Sequence, residues 1–206
     1  MDYVKNPREI ENTSMDIIET HLPHLKKLPD GERAIIRRIV HTTGDIECAQ
    51  LVRIHPLAVE TGIAAIRAGR PVVTDVHMLQ AGINGNKLKE FGMETFCYIR
   101  DPRVVEEAAI TGETRAMAAM RLAKPQLDGG IVAIGNAPTA LFLLCEMINK
   151  GEVHPALVVG TPVGFVGAAE SKELLCEMPV PYVTINGTRG GSNIAASVIN
   201  ALLYTA

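Results

Sequence analysis

Arg38 and His41 stand three residues apart, immediately before Thr42-Thr43-Gly44. On a helix that spacing puts both side chains on one face. There the imidazole can donate a proton near neutral pH, and the guanidinium one turn back can hold a carboxylate of the same molecule. Thr42, beside the acid, is expected to touch that ligand as well. A plainer reading competes, because a cation in the last turn of a helix is favoured by the macrodipole alone.

A second set of candidates lies where apolar runs end. These ends read Thr74-Asp75-Val76-His77-Met78, Gly135-Asn136-Ala137-Pro138-Thr139, Gly160 through Gly167 and Asn186 through Ser192. Three of the four are glycine-rich and lead into helices, so free backbone N–H groups and the positive ends of helix dipoles would converge on one pocket suited to carboxylates or phosphates. Asp75, Met78, Asn136, Pro138 and Thr139 are expected to line it from the first two ends. Gly164, Phe165, Arg189 and Gly190 do so from the others. Arg115 opens a helix, an unusual place for a cation, and an anionic ligand there would explain it; pairing with Glu113 or Glu170 is the structural alternative. Each glycine turn taken alone could equally serve tight turning and close packing.

Spacing excludes the obvious competitors. Gly160, Gly164 and Gly167 do not fit G-x-G-x-x-G, and no G-x-x-x-x-G-K-[ST] occurs, so a dinucleotide or nucleoside triphosphate is not supported. G-x-S-x-G is absent as well, which disfavours covalent hydrolysis. His21 and His24 share a helix face without carboxylate or cysteine partners, His55 and His154 each precede a proline, and no metal is assigned. Cys48, Cys97, Cys145 and Cys176 form no C-x-x-C pair and fall in apolar segments, which reads as reduced thiols. A net charge of -3 without a basic stripe, and no tryptophan, argue against an extended nucleic-acid surface. The charged N-terminal stretch and the lack of a long apolar run point to a cytoplasmic protein off the membrane.

The elements that must position these residues follow from pattern. With 206 residues, 47% of them hydrophobic, the chain fits one α/β domain over 1–206. Asn6-Pro7 caps a first helix, Thr13-x-x-Asp16 suggests a further cap before Ile17-Ile18, and Asp30 can cap a helix from Glu32 to Thr43 that Gly44 stops. Pro56 to Gly69 bounds another. Strands are expected at 71–74, 95–99, 131–134, 156–159 and 182–185, with helices at 104–109, 114–123, 139–149, 167–176 and 192–203. The architecture expected is a three-layer sandwich around a five-stranded, mainly parallel sheet of flavodoxin-like order, preceded by N-terminal helices.

Several blocks in this order resemble the precorrin-8X methylmutase (cobalt-precorrin-8 methylmutase) family of cobalamin biosynthesis. They are Ser14 ahead of Ile17-Ile18, Arg38-x-x-His41-x-x-Gly44, Thr74-Asp75-x-x-Met78, Arg100-Asp101-Pro102, Thr114-Arg115, the run Ala133 to Leu141, the run Pro162 to Lys172 and Gly190-Gly191-Ser192. The resemblance implies an isomerase that moves a methyl group from C-11 to C-12 of precorrin-8X or cobalt-precorrin-8, giving hydrogenobyrinate or cobyrinate. It implies His41 as proton donor and acceptor, Ser14 and Arg38 as substrate contacts, no organic cofactor, and a homodimer. A polycarboxylate macrocycle suits a chain whose anion donors are local. A binding protein that carries a tetrapyrrole without chemistry would use the same turns, and a flavin-binding module would need a phosphate loop that the spacing does not show.

Overall fold

The computed structural model describes residues 3–206. Asn6 opens the first helix, α1 (Pro7–His21), by accepting from the N–H groups of Arg8 and Glu9, and Pro7 occupies a position where no N–H is needed. The helix runs unbroken through Thr13 and Asp16, so no second cap forms there; a helix already nucleated upstream continues at little cost. A 3-10 turn over Pro23–Lys27 leads to α2 (Asp30–Thr43). Asp30 is the first residue of α2 rather than its cap, and it pairs with Arg33 at 2.8 Å. Ile35, Ile36, Ile39 and Val40 are buried on one face, and Gly44 ends the helix at φ 65°, a left-handed conformation that glycine adopts without strain.

Short α3 (Cys48–Leu51) runs into β1 (Val52–Ile54), followed by α4 (Ala58–Arg67), β2 (Val72–Thr74), α5 (His77–Gly82), α6 (Gly85–Glu90) and β3 (Thr95–Phe96). Then come α7 (Pro102–Thr111), α8 (Arg115–Leu122), α9 (Lys124–Leu127) and β4 (Ile131–Ile134). The remainder alternates: α10 (Pro138–Asn149), β5 (Leu157–Gly160), α11 (Ala168–Cys176), β6 (Tyr182–Ile185) and α12 (Ser192–Thr205).

The sheet has six strands in the order β1-β6-β5-β4-β2-β3. Its five parallel strands are the five expected, and numbered among themselves they run 2-1-3-4-5, the flavodoxin-like order. The sixth, β1, was not expected. It lies antiparallel on β6, with Val52 opposite Ile185 and Ile54 opposite Val183, and covers what would otherwise be an open edge. β3 pairs over two residues only, shorter than the 95–99 expected.

Successive strand residues point to opposite faces. Val72, Ile131, Ala133, Leu157, Val159 and Val183 pack with α1, α2, α4 and α12, whereas Val73, Val132, Ile134 and Val158 pack with α8, α10 and α11. Both faces are therefore covered, which explains why the strands read as unbroken apolar runs. All four cysteines are free thiols; Cys48 and Cys145 are buried, and burial pushes the Cys145 thiol up to about 12, but Cys176 is exposed, outside the apolar setting expected of it. No helix among the described residues is long and apolar enough to cross a membrane.

Candidate active site

β2 and β4 are neighbours at the point where the strand order reverses, and beyond their carboxyl ends a cleft of about 470 Å³ opens. Met78 and Gly82 of α5, Gly135 and Asn136 after β4, and Gly190 to Asn193 after β6 line it. An adjoining hollow of about 240 Å³ sets Arg38, His41 and Thr42 of α2 against Asn193, Ser197 and Asn200 of α12; Gly82 and Asn193 line both spaces. The expected proton donor and its arginine thus share one wall. α12, packed along α2, supplies the other.

His41 and Thr42 are exposed in the last turn of α2. Arg38 is already engaged, donating to Glu11 of α1 at 2.8 Å and lying 5.0 Å from the ring centre of Tyr204. Arg189 is engaged likewise, with Asp45 at 2.7 Å and Glu47 at 3.8 Å. Each cation is held by a carboxylate in a partly exposed pair, the kind of ion pair that contributes little to stability.

The turns behave unequally. At Gly135-Asn136-Ala137 the three N–H groups donate to the Asp75 carboxylate, at 3.2, 2.7 and 2.9 Å. Asp75, expected to line the pocket, is fully buried and fills the anion site expected at the start of α10. Burial pushes its carboxyl above the usual carboxylate range, while the bonds from Ala137, Asn136 and Gly135 pull it back. By contrast α12 begins at Gly191 with no side-chain cap, and its first residues, Ser192 and Asn193, line the cleft. That helix start is the open anion position. α11 also lacks a side-chain cap, after Gly167.

The wall carrying Gly190 is built by close approach. Gly191 N–H donates to the Thr161 carbonyl at 2.8 Å and Gly164 N–H to the Thr188 carbonyl at 3.1 Å. A Cβ on Gly190 would be driven onto the carbonyl oxygens of Thr161 and Pro162. Gly190→Ala is expected to displace this wall and weaken ligand binding severalfold or more, with a stability loss of about 1–3 kcal/mol measured by urea denaturation; unchanged binding and stability would contradict this packing.

The structure gathers Arg38, His41, Thr42, Met78, Asn136 and Gly190 around the two adjoining spaces. Ser14 is not among them: it is half-buried on α1, and its hydroxyl donates to its own helix, at Ile10. Pro138 and Thr139 sit at the start of α10, where Thr139 meets the Thr114 hydroxyl at 2.9 Å, and the exposed Arg115 follows beside them, outside the cleft. The alternative pairing for Arg115 is not used either, since Glu113 pairs with Arg121. Gly164 and Phe165 belong to a rim loop on which Phe165 is 93% and Val166 88% exposed. Sequence reasoning missed Gly82, Asn193, Ser197 and Asn200. A signal existed: Asn193, Ser197 and Asn200 form a polar stripe at spacings of four and three on an otherwise apolar helix. Asn200 also ties α5 to α12, accepting from Asn84 N–H at 2.8 Å and donating to the Gly82 carbonyl at 2.9 Å.

Comparison with known proteins shows the family to which this chain belongs. The family model described as precorrin-8X methylmutase matches residues 9–205. A cobalt-precorrin-8 methylmutase of Priestia megaterium is 45% identical over 197 residues, covering 95% of this chain and 87% of its own. A precorrin-8X methylmutase of a Sinorhizobium species is 40% identical, covering 98% of this chain and 96% of its own. The crystal structure of precorrin-8x methyl mutase from Thermus thermophilus superposes with a TM-score of 0.86 at 39% identity, covering 96% of this chain and 95% of that one. The chain belongs to the precorrin-8X methylmutase family, and is accordingly an isomerase of cobalamin biosynthesis.

Proposed function

We propose that this chain moves a methyl group from C-11 to C-12 of a precorrin-8 macrocycle, with His41 as the acid that starts the shift and the base that ends it. The observation that carries this reading is the placement of His41 with Arg38 on one wall of a hollow that adjoins the uncapped start of α12. In the proposed sequence the His41 imidazolium gives its proton to the conjugated ring, leaving it electron-poor beside the migrating group. The methyl group then passes from C-11 to C-12 with its bonding pair. The proton returns to the imidazole, so substrate and product are isomers and no nucleophile is consumed. A positioned acid supplies about 10²- to 10⁴-fold, and the remainder comes from holding the ring in place.

Holding is the task of the anion donors. The carboxylates around the macrocycle would meet Arg38, Arg189 and the α12 N-terminus, and the ring's flat face would lie against the apolar rim of Met78, 77% exposed, and Phe165. Ser14 and Arg115 are proposed as peripheral contacts for the outer carboxylates. The exposed apolar rim also supports a homodimer, to be read from light scattering after size exclusion. We take each chain to fold as a single domain over 1–206 and to act in the cytoplasm.

The test is incubation with precorrin-8 and, separately, with its cobalt form, followed by visible spectroscopy. A new chromophore with unchanged mass is expected, more rapidly with the cobalt form, as the name of the Priestia megaterium relative suggests. Tight binding without spectral conversion would make the protein a carrier instead. Arg38→Ala should raise KM roughly tenfold or more through loss of a charge-assisted contact, with kcat less affected. Glu11→Gln frees the same guanidinium and should lower KM; a rise would show that Glu11 is needed to orient it.

A further inference from the structure

Lys172, on α11, is 2% exposed, and its ammonium donates to the backbone carbonyl of Arg189 at 2.5 Å. A buried cation is costly, and an apolar side chain of similar length would fit that environment better for stability alone. Its one carbonyl partner is unusually placed. Arg189 lies in the middle of the loop between β6 and α12, whose Thr188 and Gly191 bond to Gly164 and Thr161 on either side of it. The Arg189 guanidinium reaches Asp45 at 2.7 Å, the residue after the Gly44 that ends the His41 helix.

We propose that Lys172 is a positioning residue of the methylmutase site: by clamping the Arg189 carbonyl it holds the Gly190–Ser192 wall and, through Arg189 and Asp45, the end of the His41 helix in register with each other. This rests on the function proposed above. The clamp is sensitive to charge, because a hydrogen bond from an ammonium is roughly twice as strong as one from a neutral amine. Burial lowers the amine to about 8, so the charged clamp is present at neutral pH and lost above it. The titratable groups on the elements packed against α11 are Cys145 and Glu146 of α10, the latter paired with Lys150, and Tyr182 of β6. α11 itself carries Glu170, Glu173 and Cys176, and Arg189 brings Asp45 and Glu47. Burial alone, and none of these charges, lowers the amine.

The experiment is Lys172→Met in the full chain, read by hydrogen exchange of the 186–191 loop, by thermal melting and by steady-state kinetics with the cobalt form of precorrin-8. At neutral pH the melting temperature should hold or rise, since a buried charge is gone. Loop exchange should accelerate and KM should rise, each roughly tenfold or more. Wild-type kcat/KM is expected to fall on the alkaline side with a midpoint at about 8, and this fall should be missing from the variant. Unchanged loop exchange and KM would overturn the proposal, and so would a lower melting temperature with faster exchange throughout the core. If the variant does not fold, NMR of the wild type decides: the Thr188 to Gly191 amides must titrate with the Lys172 side chain, and independent titration overturns the clamp. Loop exchange and NMR need no substrate. A wild type lacking mutase activity would therefore sink the functional reading without obscuring the result for Lys172.

Discussion

His41→Ala is expected to lower kcat by about 10²- to 10⁴-fold while substrate affinity changes by no more than a fewfold. The asymmetry follows from the division of labour in the site. In the proposed mechanism binding would be carried by charge partners on several elements, Arg38 on α2, Arg189 before α12 and the helix start at Gly191, none of which depends on the imidazole. Proton transfer is assigned in that proposal to His41 alone. His41 is exposed at the end of α2, so its truncation opens no core cavity and stability should move by less than about 0.5 kcal/mol. Single-turnover conversion gives the chemical step, equilibrium titration of the macrocycle gives affinity, and melting controls for folding. Near-normal conversion would remove His41 from the acid role and shift attention to Thr42 and the α12 stripe.

Asp75→Ala is expected to be the most damaging single change for stability, because three N–H groups at the head of α10 lose their acceptor together. Each buried donor left unsatisfied costs about 1–3 kcal/mol, so a total loss of at least ~3 kcal/mol is expected, read from urea denaturation. Asp75→Asn keeps one acceptor oxygen and should lose less. The pH dependence provides a separate check. Because burial holds the native carboxyl above its ordinary value of 3.8, the native state binds this proton more tightly than the unfolded chain does. This group's contribution to stability therefore falls as pH rises from 3.8 through the raised value, and that component should be missing from the alanine curve. The cleft floor would loosen as well, since the same carboxylate joins the end of β2 to the turn after β4. Wild-type stability in Asp75→Ala would mean that water or another group satisfies the three donors.

Much of the frame was legible because local chemistry and long-range packing agree there. Asn6-Pro7, the Gly44 stop and the apolar runs at 72–74, 131–134 and 157–160 each encode an element whose partners lie on both of its faces. The Arg38–His41 pairing was legible for the same reason, since one helix sets its geometry. β1 was not: three residues, Val-Arg-Ile, form a strand only because β6 offers an unpaired edge. Four site residues from α5 and α12 escaped notice because α12 lies at the far end of the chain from α2 and meets it only in the folded state.

Electrostatics shows where the division falls. By itself the sequence determined the inventory of this protein: an acid, several cations, glycine turns and the strand pattern that collects them at one end of a sheet. Only the tertiary structure decided which charges are free to act. Asp75 takes the N–H groups of a turn 60 to 62 residues away, Glu11 holds Arg38 across 27 residues, and Asp45 holds Arg189 across 144. The physical reason is that hydrogen bonds and ion pairs act over a few ångströms of space. Which anion site stays open, and which cation is already paired, is therefore settled by three-dimensional proximity, to which spacing along the chain is no guide.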